Sequence, residues 1–138
     1  MDTAALVHRR ARETSMPWLP RLHTPAQDRW FFRERVFASC TVRGAFEDER
    51  LVGFVAFRPG WVDHLYVLPG HQGAGLGSAL LAAAKRDAAR LDLWTFRRNR
   101  AARRFYEARG FVAVAETDGA GNEEREPDVL YRWTRDAV

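Results

Sequence analysis

The run Gln72–Gly77 places three glycines, at alternate positions, just before an apolar helical pattern. Glycines leave backbone amides uncovered where a helix begins, and those N–H groups with the positive helix end can bind an anion. The run lacks the lysine and serine or threonine of a Walker loop, and its last glycine falls one residue early for a dinucleotide fingerprint. The alternative interpretation is a flexible turn that lets helix and sheet pack closely.

A second group of residues that could take part in a reaction lies between Asn99 and Phe111. Asn99 can cap a helix, and Gly110 can end that helix in the left-handed conformation. Phe105 and Tyr106 share one stripe of this helix, a spacing that also fits core residues. Spacing alone therefore leaves open whether Tyr106 is a functional or a packing residue.

Both groups need a scaffold, and the periodicity of the chain predicts one. We predict a helix over 2–15, a connecting stretch with three prolines, and a second helix over 25–36 with Trp30 facing inward. Further helices are predicted over 76–90 and from Asn99 to Gly110. The predicted strands are 37–46, 51–57, 62–68, 91–96, 111–116 and 129–134. This order predicts an α+β fold with a mixed, mostly antiparallel sheet flanked by helices.

The composition indicates a globular, single-domain protein. The 138 residues fit a single domain, 1–138, and 46% hydrophobic with 29% charged residues indicates a globular chain. Cys40 is the one cysteine, which excludes a disulfide scaffold, and the four scattered histidines do not predict a metal site. No apolar run approaches the roughly 18 residues of a membrane span, and the N-terminus lacks a signal pattern. We therefore expect a cytoplasmic protein.

Two motifs carry a resemblance to a known family. The segment 62–81 closely resembles the acetyl-CoA-binding motif of the GNAT N-acetyltransferase superfamily, in which a strand ending in proline precedes Gln/Arg-x-x-Gly-x-Gly/Ala. Gln72, Gly75 and Gly77 meet this pattern. The stretch Asn99-x-x-Ala102-x-x-Phe105-Tyr106-x-x-x-Gly110-Phe111 is similar to the family's next motif. The resemblance covers about residues 37–134 and implies the GNAT acyltransferase fold.

The resemblance also implies a reaction and a set of site residues. Family members transfer acetyl from acetyl-CoA directly to an amine, so we expect an N-acetyltransferase with a primary amine acceptor and Tyr106 as general acid. The unperturbed pKa of tyrosine, about 10, lies not far above the about 8.5 of a thiol. Backbone amides would hold the pyrophosphate, a strand edge would pair with the pantetheine arm, and two residues of the second motif would contact the cofactor. These cofactor-binding residues are Gln72, Gly73, Ala74, Gly75, Leu76, Gly77 and Ser78 for the pyrophosphate, Leu65, Tyr66 and Val67 for the arm, and Asn99 and Phe105.

The sequence leaves open which base takes the proton of the acceptor ammonium. Asp63 and His64 are the nearby candidates, and a regular pleat sends them to opposite faces of the strand. The family often has an acidic residue near this position, which favours Asp63. Ordered water could replace both residues.

The acceptor is expected to be a small cationic or polar amine, although a protein N-terminus or side chain is an alternative. The acidic loop 116–128 is either a plain solvated connection or an anionic rim that concentrates such an amine. The arginines of the basic segment 85–109 are either a solvated face or, for one or two of them, a contact to the 3′-phosphate of coenzyme A. They are Arg97, Arg98, Arg100, Arg103 and Arg104.

The sequence departs from the family at its start, because the usual first strand is missing ahead of the helix over 2–15. Either the start is truncated, or the strand 37–46 is an exposed edge that a second copy, in a homodimer, could cover. Two other functions stay open: a nucleic-acid-binding module that uses the basic segment 85–109, and an acyl-CoA-binding protein without turnover. Aromatics at core positions in that segment make nucleic acid an unlikely partner.

Overall fold

Five α-helices and six strands form the part of the chain that the computed structural model describes, residues 2–73 and 75–135. The helices are α1 (Asp2–Ser15), α2 (Pro25–Phe31), α3 (Phe37–Ser39), α4 (Leu76–Lys85) and α5 (Arg100–Glu107), with a π-helical turn, Phe32–Val36, between α2 and α3. The strands are β1 (Thr41–Glu47), β2 (Arg50–Arg58), β3 (Trp61–Val67), β4 (Arg90–Phe96), β5 (Val112–Thr117) and β6 (Asp128–Thr134). No helix within these residues is long and apolar enough to cross a membrane.

The six strands form one sheet in the order β1-β2-β3-β4-β6-β5. Every neighbouring pair is antiparallel except β3 and β4, which run parallel and are joined through α4. In the described part of the chain, β3 and β4 pair at a single register point, Trp61 opposite Asp92. The two strands therefore separate beyond that point, and the remaining length of β3 keeps a free edge on this side.

Alternate residues of β2 divide the core into two clusters. Phe54 and Ala56 belong to the cluster under α1 and the π-helical turn, where Phe32 is fully buried. Val55 belongs to the cluster under α4 and α5, which includes Leu81 and Tyr131. The helices therefore cover both faces of the sheet, and burying these apolar faces is the main favourable contribution to folding.

Three local predictions are wrong. Residues 37–39 are helical, so the first strand begins at Thr41 rather than at residue 37. The π-helical turn explains the shift, because it buries Phe32 and Val36 together and carries the helix onward. Trp30 is 48% exposed instead of facing inward, since it lies on the helix side away from Phe32 and stacks beneath Arg35. Helix α4 ends at Lys85, before the predicted residue 90.

The remaining elements agree with the predictions to within a few residues. Asn99 caps α5 through its side chain, and Gly110 adopts φ 90° directly after the helix. β1 is an edge strand of the sheet, and Phe46 on it is 64% exposed. The prediction of an α+β fold with a mixed, mostly antiparallel sheet is confirmed.

Candidate active site

A cavity of about 590 Å³ lies against the free edge of β3. Its walls come from α1, β3, the glycine turn after β3, the first turn of α4, and α5. Elements that are far apart in the sequence thus meet where β3 and β4 separate. A gap between parallel strands is a common position for a ligand in open sheets.

The three glycines, Gly73, Gly75 and Gly77, are needed at their positions for different structural reasons. Gly73 and Gly75 have φ of 85° and 82°, a left-handed conformation that side chains with a Cβ rarely adopt. Gly77 lies inside α4, and a Cβ there would approach the Phe105 ring to 3.2 Å. The first two glycines allow the turn, and the third allows α5 to pack against the start of α4.

The turn leaves an anion site at the start of α4. Gly75 precedes the helix and has no side chain to cap it, so no hydrogen bond from a cap occupies the first amides. Gln72 donates its Nε2 to the Val67 carbonyl oxygen at 3.0 Å, which holds the turn against β3. A phosphate placed here would receive several backbone hydrogen bonds.

Arg109 is the functional candidate that the sequence analysis did not assign. Its Nε and Nη2 donate to Ser78 Oγ at 2.9 and 2.5 Å, and its Nη1 donates to the Phe105 carbonyl at 2.9 Å. The guanidinium lies 3.8 Å from the centre of the Phe105 ring. Within the described residues no carboxylate lies within 4.0 Å of it, so this cavity-lining charge is available to an anion. The i, i+4 spacing of Phe105 and Arg109 was the available signal.

Tyr106 lines the same cavity from α5 and is 9% exposed. Its ring packs against Phe105 and Phe111 at centroid distances of 5.2 and 5.4 Å. Burial, with a smaller contribution from Tyr66, raises the pKa of Tyr106 above its usual value and keeps the phenol protonated. A protonated phenol in a cavity can donate a proton to a developing anion.

Asn99 joins α5 to α1. Its Oδ1 accepts a hydrogen bond from Ala102 N at 3.3 Å, and its Nδ2 lies 3.3 Å from Met16 Sδ. The cap therefore also fixes one edge of the cavity.

The structure brings most of the proposed site residues together. Eleven of them line the cavity: Leu65, Tyr66, Val67, Gln72, Gly73, Gly75, Gly77, Ser78, Asn99, Phe105 and Tyr106. The side chain of Leu76 packs against the cluster under α1 instead. Ala74 lies outside the described residues.

Asp63 lies apart from this cavity. Phe57 pairs with Val62 and Ala56 with His64, so Asp63 is the extra residue of a β-bulge. Its carboxylate accepts hydrogen bonds from Arg58 Nε and Nη2 at 2.7 and 3.1 Å. The position of Asp63 therefore does not support the expected role as the base.

The side chain of His64 points to the face of β3 that packs against α1 and the π-helical turn. Its ring lies 5.8 Å from that of His8 and 5.3 Å from that of Phe32. Burial lowers the pKa of His64 to about 4, although the nearby Asp63 opposes this shift. His64 is therefore neutral near pH 7.

The acidic loop is paired with basic side chains. Glu124 bonds Arg12 at 3.0 Å, Glu126 bonds Arg98 at 3.1 Å, and Glu123 contacts His23 at 2.5 Å. These contacts hold the loop against α1, the connecting segment and the turn between β4 and α5. They leave these three carboxylates less able to act as an anionic rim.

Comparisons with known proteins agree with this fold. The sequence profile described as the acetyltransferase (GNAT) family matches residues 4–111. A protein from Desulfovibrio desulfuricans, described as an acetyltransferase of the GNAT family, is 25% identical, with 97% of this chain and 94% of that chain covered and a TM-score of 0.72. A GCN5-related N-acetyltransferase from Rhodopseudomonas palustris is 20% identical over 96% and 88% of the two chains, with a TM-score of 0.78.

A third structure contains a ligand. The PaiA N-acetyltransferase from Thermoplasma acidophilum, in complex with coenzyme A, is 18% identical over 97% and 92% of the chains, with a TM-score of 0.69. No curated protein sequence matches the chain significantly. The sequence profile and the fold define an acetyltransferase of the GNAT class. The chain belongs to the GNAT acetyltransferase family.

Proposed function

We propose that the protein is an N-acetyltransferase that moves the acetyl group of acetyl-CoA to a primary amine. The observation that carries this proposal is one cavity lined by the glycine turn, the free edge of β3 and the buried Tyr106. The coenzyme A complex of the Thermoplasma protein supports the choice of cofactor.

The cofactor would lie along β3 and end at α4. The amides at the start of α4 would bind the pyrophosphate, and Arg109 would donate its remaining N–H groups to a phosphate from the other wall. The amide-rich pantetheine arm would pair with the edge of Leu65, Tyr66 and Val67, which β4 leaves free.

The chemistry needs three steps. The amine nitrogen attacks the thioester carbonyl and forms the C–N bond, while a backbone N–H of β3 stabilises the oxyanion. The C–S bond then breaks, and Tyr106 protonates the departing thiolate. Burial raises the pKa of Tyr106.

The test combines binding with turnover. Calorimetry with acetyl-CoA measures the cofactor step, and an amine panel that monitors free thiol measures transfer. Tyr106→Phe should lower kcat by about 10²-fold or more with little change in cofactor Kd. Tyr131→Phe is the matched control, since its hydroxyl bonds Arg103 and Glu107 rather than lining the cavity. An unchanged rate for Tyr106→Phe would remove Tyr106 from the mechanism, and an absence of acetyl-CoA binding by the wild type would overturn the function itself.

A further inference from the structure

The glycine turn after β3, residues 69–75, has few packing contacts to keep it in one shape. Gly70, Gly73 and Gly75 all have φ between 82° and 87°. A Cβ built at any of the three would meet no atom within 4 Å, so these positions face open space rather than the core. The turn therefore needs hydrogen bonds to hold it.

The shape of this turn matters for binding an anion. Backbone amides bind a phosphate well when they already point at it, because ordering a flexible backbone costs free energy that binding must otherwise supply. A turn that is held in place before the ligand arrives gives the tighter site.

Two hydrogen bonds hold the turn to the strands beside it. Leu68 N donates to the Val52 carbonyl oxygen at 2.7 Å, which joins the end of β3 to β2. Gln72 Nε2 donates to the Val67 carbonyl oxygen at 3.0 Å, which joins the turn to β3 itself. Neither bond reaches beyond these two strands.

His71 makes a third contact, to a strand two places away in the sheet. Its Nδ1 contacts a carboxylate oxygen of Glu47, the last residue of β1. An ionised carboxylate only accepts hydrogen bonds, so Nδ1 carries the proton and donates it. The side chain of His71 is 23% exposed and that of Glu47 is 63% exposed. The backbone N–H of His71 is also used, because it donates to the Leu68 carbonyl at 3.0 Å.

We propose that Glu47 and His71 are positioning residues for the cofactor, whose hydrogen bond ties the glycine turn to β1 and keeps the turn amides directed at the pyrophosphate. This inference rests on the proposed function, since it needs acetyl-CoA to bind at the turn. In the described part of the chain neither residue lines the cofactor cavity, so both act through the turn.

The first test measures cofactor affinity and turnover separately. Glu47→Ala and His71→Ala should each raise the Kd of acetyl-CoA about fivefold, the effect of losing one partly exposed ion pair. The kcat at saturating acetyl-CoA should stay unchanged, because the turn does not hold the reacting atoms. Glu49→Ala is the matched control, since it removes an exposed carboxylate from the turn of the same hairpin, and it should bind acetyl-CoA normally. A lower kcat with an unchanged Kd would overturn the proposal.

The second test asks whether the hydrogen bond itself is responsible. Glu47→Gln keeps an oxygen that can accept from Nδ1, so it should retain most of the affinity that Glu47→Ala loses. The double variant Glu47→Ala/His71→Ala should bind no more weakly than either single variant, because both remove the same contact. Losses that add in the double variant, or a Glu47→Gln variant as weak as Glu47→Ala, would contradict the proposal.

The third test uses a ligand without the pyrophosphate. Acetyl-pantetheine should bind to Glu47→Ala and to the wild type with the same Kd, because it does not reach the turn amides. An equal loss of affinity for both ligands would mean that the substitution distorts the whole cavity, and the positioning role would be wrong.

These outcomes are separate from those of the proposed function. A wild type that binds acetyl-CoA, with an unchanged Kd in both alanine variants, would overturn the positioning role alone. An absence of acetyl-CoA binding by the wild type would overturn the acetyltransferase function instead.

Discussion

At the residue scale, Arg109 is a charge held in place with no carboxylate partner among residues 2–73 and 75–135. Ser78, the Phe105 carbonyl and the Phe105 ring fix its guanidinium in the cofactor cavity. Arg109→Gln should weaken acetyl-CoA binding about 10- to 100-fold, because hydrogen bonds to charged groups contribute about 1.5–3 kcal/mol. Calorimetry measures the change in Kd.

Two comparisons sharpen this prediction. Arg104→Gln removes the same charge from an exposed position on α5 outside the cavity and should bind normally. Acetyl-pantetheine lacks the phosphates, so its affinity should be the same for Arg109→Gln and the wild type. An equal loss with both ligands would assign Arg109 a purely structural role.

The buried histidines predict an acid-sensitive fold. The pKa of His8 is lowered to about 3 and that of His64 to about 4, whereas both are about 6.5 in the unfolded chain. The unfolded chain therefore binds more protons between these values, and stability is lost as the pH falls from about 6.5 toward 3. Thermal unfolding across this range should show a falling Tm, with a shallower slope for His8→Phe. Parallel slopes would contradict the buried state of His8.

Some site residues could be predicted from the sequence and others could not. Tyr106, Asn99 and the glycine turn follow from local motifs, and the structure brings them to one cavity. The pairing of Asp63 with Arg58 depends on a β-bulge, which is a property of two strands together. The burial of His8 comes from neighbours in elements that are distant in the sequence, so the sequence alone does not predict it.

At the scale of elements, α4 and α5 are in contact through Gly77 and Phe105. Gly77→Ala should change stability little, because the better helix propensity of alanine, about 1 kcal/mol, opposes the strain of a Cβ 3.2 Å from the Phe105 ring. It should still weaken acetyl-CoA binding, because the new Cβ displaces the ring on which Arg109 rests. Chemical unfolding and calorimetry measure the two effects separately.

Gly75 provides the contrast, because a Cβ there meets no atom within 4 Å but the backbone has φ 82°. Gly75→Ala should cost about 1–2 kcal/mol of stability through the left-handed conformation. If Gly77→Ala left the Kd of acetyl-CoA unchanged, the packing argument would be wrong.

At this scale, α2 and β1 show which element boundaries can be predicted from the sequence and which cannot. Periodicity predicts the helix near residue 25, and the Thr24 cap and Pro25 fit its start. The π-helical turn is only five residues long, too short for a sequence pattern to show its period, so the sequence does not predict the helical residues 37–39.

At the scale of the whole molecule, Asp92 lies at the point where β3 and β4 meet, and its side chain holds β4 to β6. Asp92, 3% exposed, lies opposite Trp61 and accepts two hydrogen bonds from Arg132 on β6 at 2.9 and 3.0 Å. These hydrogen bonds lower the pKa of Asp92. Asp92→Asn should therefore lower the Tm by about 5 °C near pH 7.

The pH dependence gives this prediction a second check. A carboxyl with a lowered pKa in the fold stabilises above its unfolded pKa, about 3.9, and loses this effect as the pH falls through the folded pKa. The Tm difference between wild type and Asp92→Asn should shrink below about pH 3.9. A difference that is constant with pH would show that the charge of Asp92 does not matter.

The contact between Arg12 and Glu124 joins residues that are 112 positions apart in the chain. A ribosome makes α1 long before it makes the acidic loop, and β1 to β5 are synthesised in between. This ion pair can therefore form only late, after five of the six strands of the sheet exist, so the acidic loop is fastened to α1 near the end of folding.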